Sequence, residues 1–171
     1  INDVTTGRRH NDENSWFGRA ILLFQPSDRF SNTAYIDYVE VDENGSRTRL
    51  SAVNTALATG RLLEPILNAQ NAMLGFWEDE SSYPNLLSEG ENFGITNVTE
   101  YEATDGLRLK NIFNYRDISM RERSDYDGTI RSVLDLDLAQ TAAQYSNEFQ
   151  VQGEGLSDRL TWIVGAFYFR E

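Results

Sequence analysis

The sequence predicts an all-β fold: an antiparallel up-and-down transmembrane β-barrel segment of about six strands in three hairpins, with a helical extracellular loop. Three observations predict it. Runs rich in aromatic and β-branched residues are long enough to cross a bilayer at a tilt, which takes roughly 9–11 residues, where soluble strands average about 5–6. Apolar and polar residues alternate along them with a period of two, so each set lies on one side of a sheet. The connections alternate as well, short turns within each hairpin and long polar segments between hairpins.

The first hairpin pairs Ser15–Gln25 with Phe30–Val41 across the turn Pro26-Ser27-Asp28-Arg29. The second pairs Asn92–Glu102 with Leu107–Asp117 across Ala103-Thr104-Asp105-Gly106. The third pairs Tyr145–Gln152 with Leu160–Arg170 across Gly153–Asp158. Each turn is built from Pro, Gly, Asp and Ser, which supply the fixed, positive or side-chain-bonded backbone angles that tight turns need. Leu160, Trp162, Val164, Ala166 and Tyr168 fall on one side of the last strand. Leu107, Leu109, Phe113 and Tyr115 oppose Arg108, Lys110, Asn114 and Arg116. The first hairpin alternates less cleanly, because Phe17, Ile21 and Leu23 share a side with Arg19.

Two long segments, about Asp42–Glu91 and Ile118–Gln144, separate the hairpins and with Ile1–Asn14 face outward on this reading, while the short turns face the periplasm. Within the first, Ser51–Leu63 and Pro65–Leu74 have helical spacing of Leu, Val, Ile and Ala, and Pro65 suits a first helical turn, which predicts a short helical pair. Leu134-Asp135-Leu136-Asp137-Leu138 fits either a strand or a loop edge whose acids block unwanted pairing, and the loop edge is preferred.

Composition narrows the chemistry. The 171 residues carry a formal charge of −12, which argues against a nucleic-acid partner, since phosphate needs a basic surface. There is no cysteine and one histidine, His10, so neither a thiolate nor a polyhistidine metal site is expected. Asp42-Glu43-Asn44-Gly45 and Asp125-Tyr126-Asp127-Gly128 lack the ligand spacing of a calcium-binding helix–loop–helix and read as solvated turns. His10 reads as a solvated loop residue, and Glu78, Asp79 and Glu80 as ordinary loop acids. No catalytic, cofactor-binding or metal-ligating residue is assigned, and no cofactor is expected. If the alternation holds, Arg19, Glu100, Arg108, Lys110, Glu148 and Gln150 face the lumen of the barrel. Trp16, Tyr38, Tyr115 and Tyr168 fall near the outer strand ends, and Phe30 and Leu160 near the inner ends, where interfacial girdles belong.

The ordered hairpins resemble a family. Ser146-Asn147-Glu148-Phe149-Gln150-Val151, a Gly- and Asp-containing turn, then Trp162-Ile163-Val164-Gly165-Ala166-Phe167-Tyr168 is similar to a strand pair of TonB-dependent outer-membrane receptors. Gly94-Ile95-Thr96-Asn97, Leu107 to Ile112 and Tyr115-Arg116-Asp117 look like the preceding pair, and Gly18-Arg19-Ala20 through Pro26-Ser27-Asp28-Arg29-Phe30 like an earlier one. The Asp125-Tyr126-Asp127-Gly128-Thr129 stretch falls where such receptors often carry an Asp-Gly-rich loop. The resemblance covers most of Ser15–Arg170. It implies a place in the cell outer membrane of a Gram-negative bacterium, in a barrel of about 22 strands filled by a plug domain. It further implies uptake of a bulky scarce nutrient such as a ferric siderophore, and lipid and TonB as partners, the latter through the plug. The sequence departs from the family's pattern: it holds no plug and no TonB-contacting segment, opens on Ile1, and ends in Arg170-Glu171, not in an aromatic residue. An internal slice of the barrel domain is therefore expected. A secreted soluble β-rich module that binds carbohydrate is the alternative, and a glycoside hydrolase fragment a weaker one.

Overall fold

The computed structural model describes residues 1–83, 85–155 and 159–171. Its elements, in chain order, are β1 (Asn2–Asp3), β2 (Ser15–Ser27), β3 (Phe30–Glu43), α1 (Ala58–Met73), β4 (Glu78–Asp79), β5 (Leu87–Thr104), β6 (Leu107–Asp125), β7 (Asp135–Gly155) and β8 (Leu160–Arg170). The chain is mostly β, with 61% of residues in strands, and six antiparallel strands form one open sheet in the order β2-β3-β5-β6-β7-β8. Sequence neighbours are sheet neighbours throughout, as hairpins joined in series require. The strands run from 11 residues in β8 to 21 in β7. Contacts divide the chain into two units. One holds Ile1–Ser15, Val41–Gly90 and Met120–Gln140; the other holds Trp16–Glu40, Glu91–Ser119 and Thr141–Glu171.

In the second unit the β5–β6 turn closes on Gly106 at φ 83°, a left-handed angle that only glycine adopts without strain. Of the third predicted turn, Gly153–Gly155 belong to strand β7 and pair with β8, and 156–158 lie outside the described residues. Side-chain pairs identify the two faces of the sheet. Arg19 reaches Asp37, Asp37 reaches Arg116, Arg116 reaches Asn92, and Lys110 reaches Glu100, so these residues of β2, β3, β5 and β6 share one polar face. The opposite face carries Trp16, Leu22 and Phe24 of β2, and Phe30, Ile36 and Tyr38 of β3. Trp16 stacks near Tyr38 with ring centroids 4.9 Å apart, and Phe24 meets Phe30 edge-on at 6.4 Å. In the β7–β8 register Phe149 opposes Ala166, Val151 opposes Val164 and Gly153 opposes Trp162 on that apolar face, and Glu148, Gln150 and Gln152 oppose Phe167, Gly165 and Ile163 on the polar one.

The two outer strands depart from this division. Phe17, Ile21 and Leu23 on β2 and Ile163, Phe167 and Phe169 on β8 put exposed apolar groups on the polar face as well. A second departure runs the other way. On the apolar face Asn32 donates to Asn97 and Thr99, and Asn111 exchanges bonds with Asn147. The Glu100–Lys110 and Thr96–Asn114 pairs share one register, which sets Thr99 across from Asn111. These amides satisfy one another, which lowers the cost of keeping them on an apolar surface.

The first unit corrects three expectations. The helical pair is one continuous helix, α1, with Pro65 inside it. An interior proline costs about 3 kcal/mol. The C-terminal half of α1 is tied down in compensation: Gln70 is buried and its amide donates to the Gly128 carbonyl at 2.7 Å, while Arg49 donates to the Gln70 and Gly75 carbonyls. Residues 51–57, the expected start of the first helix, are non-helical. The Leu134–Leu138 stretch is not a loop edge, since β7 begins at Asp135. Its Asp137 is paired with Arg121 and Arg123 of β6, so cross-strand charge replaces apolar alternation as the signal for pairing. His10 is 2% exposed, not a solvated loop residue.

Candidate functional site

The polar face of the sheet is the first candidate site. The six residues that the sequence reading set toward a lumen lie on this face: Arg19 on β2, Glu100 on β5, Arg108 and Lys110 on β6, and Glu148 and Gln150 on β7. Period-two geometry puts them there, because each strand keeps its phase from turn to turn. They do not converge on one point. Lys110 holds Glu100 at 2.7 Å with both side chains about a third exposed. Arg108 lines a hollow of about 200 Å³ with Gln25, Arg29, Glu100 and Glu102, and a second of about 290 Å³ with Glu102, Gln152, Glu154 and Thr161. On β7, Gln152 donates to Gln150 and Gln150 to Glu148 at 2.8 and 2.6 Å. Arg19 stands apart from these, 3.9 Å from Asp37 and over the Phe17 ring.

Sequence reading missed the centre of this face. Asp37 is 8% exposed and accepts from Arg116, which also donates to Asn92. Gly94 makes room for it: a Cβ there would lie 2.9 Å from both the Arg116 guanidinium and the Asp37 carboxylate. The alternating signal places Asp37 and Arg116 on one face, but a single sequence does not show the register that brings side chains of β3 and β6 within reach across β5. The face as a whole offers charge, amides and hydroxyls to water or to a polar solute. No nucleophile–base pair is formed by the six residues.

The second candidate lies in the first unit, where the structure buries polar groups that read as surface. β1 and β4 pair in parallel with Asp3 opposite Asp79. The Arg47 guanidinium contacts Asp3 and lies 3.5 Å from Asp79, and all three side chains are at most 2% exposed. Burial pushes the Asp3 carboxyl up, but bonds from the Thr6 hydroxyl and the Thr5 amide, together with Arg47, hold it below its ordinary value. Burial raises the Asp79 carboxyl to about 6, against the pull of Arg47. His10 donates from Nδ1 to the Asn44 carbonyl at 2.6 Å, and burial holds its pKa below the ordinary value.

Close by in sequence terms, the Asp125-Tyr126-Asp127-Gly128 stretch draws Asp125, Asp127 and Asp135 together, with carboxylate oxygens within 4.8 Å of one another. Their acceptors serve the loop itself. Asp125 takes the Ser81 hydroxyl and the Asp127 and Gly128 amides; Asp127 takes the Thr129, Val133 and Leu134 amides; Asp135 takes the Ser132 hydroxyl. Carboxylates that cap successive amides are turn chemistry. Burial raises the Asp125 carboxyl despite the Ser81 and Gly128 donors. No protein-family model matches the chain, and neither a curated protein nor a solved structure matches it at a significant score.

Proposed function

We propose that this chain forms part of the barrel wall of a TonB-dependent outer-membrane receptor, which takes up a bulky scarce nutrient such as a ferric siderophore across the outer membrane of a Gram-negative bacterium. One observation carries the reading. Strands of 11 to 21 residues keep six charged or amide residues on one face, while the other face exposes Leu22 (69%), Phe24 (59%), Val164 (63%) and Tyr168 (54%). In water such a surface is costly, at about 25 cal/mol per Å² of apolar area. Against hydrocarbon it is favourable, and the backbone groups paired between strands are bonded as lipid demands, while the free edges of β2 and β8 would have to pair with further strands of the barrel.

On this reading the polar face lines a hydrated lumen, the apolar face meets lipid, and the aromatic pairs Trp16–Tyr38 and Phe24–Phe30 sit toward the two interfaces. The chain contributes wall and outward loops and performs no catalysis. Solute would be captured by loops and plug and released by plug rearrangement driven through TonB. Amide–carboxylate rows such as Gln152–Gln150–Glu148 keep the wall wet without fixing a solute in place.

A soluble carbohydrate-binding module draws support from the Phe76–Trp77 pair, whose rings meet edge-on at 4.8 Å with exposures of 84% and 68%, a surface on which a sugar ring can stack. It is opposed by the scarcity of a core: among the described residues Leu86 is the sole fully buried apolar side chain. A sandwich of this size buries many.

The experiment is fractionation followed by uptake. The protein carrying this chain is expected in the detergent-extracted outer-membrane fraction, and its host is expected to lose energised uptake of one ferric siderophore or comparable nutrient on deletion of either its gene or TonB. Recovery as a soluble, detergent-independent monomer would overturn the reading.

A further inference from the structure

We propose that the Asp3–Arg47–Asp79 cluster is a proton-operated clasp, which fastens the Ile1–His10 segment to the segment after α1 more tightly in mild acid than above neutrality. This goes beyond the transport reading and does not depend on it.

The argument begins with charge. Asp3 and Asp79 are direct partners in the β1–β4 pairing, and one guanidinium serves both in a place that water does not reach. Two carboxylates and one cation leave one negative charge in excess, and a buried uncompensated charge is among the costliest features a fold can hold. The remaining charged groups nearby do not cancel it. Asp125 pushes Asp79 away from ionisation, while His10 sits near Arg47, Asp3 and Arg8 and is disfavoured from charging. A proton resolves the excess, and the two acids are not equivalent hosts for it. Asp3 accepts the Thr5 amide and the Thr6 hydroxyl, bonds that favour its carboxylate form. Neither Asp79 carboxylate oxygen accepts a hydrogen bond, and its one close cation is Arg47 Nε at 3.5 Å. Asp79 therefore takes the proton, in keeping with a pKa of about 6.

The clasp is wired to the backbone. The Asn2 amide donates to the Trp77 carbonyl and the Val4 amide to the Asp79 carbonyl, both at 2.9 Å, so these two bonds join the Ile1–His10 segment to Trp77 and to β4. When Asp79 ionises, repulsion from Asp3 acts across the same pairing. The folded value lies above the ordinary 3.8, so the closed form binds the proton that the open form releases. Closure thus gains as pH falls from 8 through 6 and levels off near 4. His10 acts in the opposite sense, since its buried neutral ring resists protonation below its ordinary 6.5.

Amide hydrogen exchange at Asn2 and Val4 in the intact protein that carries this chain tests this with wild type and Asp79→Asn side by side. The variant mimics the protonated acid at every pH, and the ratio of its protection to that of wild type cancels both the intrinsic pH dependence of exchange and the contribution of His10. That ratio is expected to fall about four-fold between pH 8 and pH 5.5. A ratio that stays constant overturns the clasp. Should the variant not fold, a ¹³C-carboxyl titration of the wild type decides: a midpoint for Asp79 near 6 supports it, and one near 3.8 overturns it.

Discussion

Gly153 lies directly opposite Trp162 in the β7–β8 register, and the indole occupies the space that a Cβ at Gly153 would fill. A strand glycine is ordinarily a weakness, since it packs nothing and loses the most backbone entropy. Here the aromatic ring covers the bare backbone and the glycine becomes part of the packing. Gly153→Val is expected to expel the ring and destabilise the protein by about 1–3 kcal/mol, the usual range for overpacking. Urea unfolding followed by Trp fluorescence checks it, with Gly155→Val as the control, because nothing lies within 4 Å of a Cβ there.

The Asp37–Arg116 pair sets a second expectation. Asp37 is nearly buried and its cation is shared with Asn92. Arg116→Ala leaves the nearly buried acid with only the more distant Arg19, 3.9 Å away, at a cost of about 1–3 kcal/mol. Replacing both, Asp37→Asn with Arg116→Ala, is expected to recover part of that loss. A double-mutant cycle on denaturant midpoints reads the coupling, and strict additivity would contradict it.

Gly128 and Gly7 both have positive φ, 63° and 71°, but different surroundings. A Cβ at Gly128 would stand 2.8–2.9 Å from the Arg49 backbone, whereas at Gly7 it meets nothing within 4 Å. Gly7→Ala should therefore cost only the left-handed penalty of roughly 1–2 kcal/mol. Gly128→Ala should cost more, because backbone at Arg49 must shift too. Equal losses in thermal or denaturant unfolding would contradict the close approach.

His10 predicts an acid-side weakness. Its folded pKa lies below the ordinary 6.5, so the unfolded chain takes up a proton first as pH falls. Its contribution to stability is complete above about 6.5 and is lost below it. His10→Gln should remove that part of the pH dependence while keeping a donor for the Asn44 carbonyl. Denaturant midpoints for the two proteins between pH 8 and 5 check this, the curves being expected to converge toward the acid end.

What the sequence made legible was the part governed by a period of two. Turn chemistry at Pro26–Arg29 and Ala103–Gly106 marked the hairpins, and phase along the strands placed Arg19, Glu100, Arg108, Lys110, Glu148 and Gln150 on one face. Strand length was underestimated where charge takes over from apolar alternation: β6 runs on to Asp125 and β7 starts at Asp135, through the Arg121, Arg123 and Asp137 pairing. The buried cluster was invisible for a different reason. Asp3, Arg47 and Asp79 are far apart in the chain, and each looks like a surface residue until pairing brings them together. Pro65 misled because local propensity divides a helix that its tertiary ties to Gly128 and Arg49 hold continuous.

The central claim is that one face of the six-stranded sheet meets lipid and the other water. The chain has no cysteine, so single cysteines at Phe113, Val151, Arg108 and Gln150, in a form of the whole protein cleared of any cysteine elsewhere, can each carry a nitroxide label. Their collision rates with oxygen and with a water-soluble nickel chelate, measured in the whole protein reconstituted into lipid bilayers, test the claim most directly. Labels at Phe113 and Val151 are predicted to favour oxygen, and those at Arg108 and Gln150 the chelate. Equal chelate access at all four positions, or the reverse pattern, would contradict it.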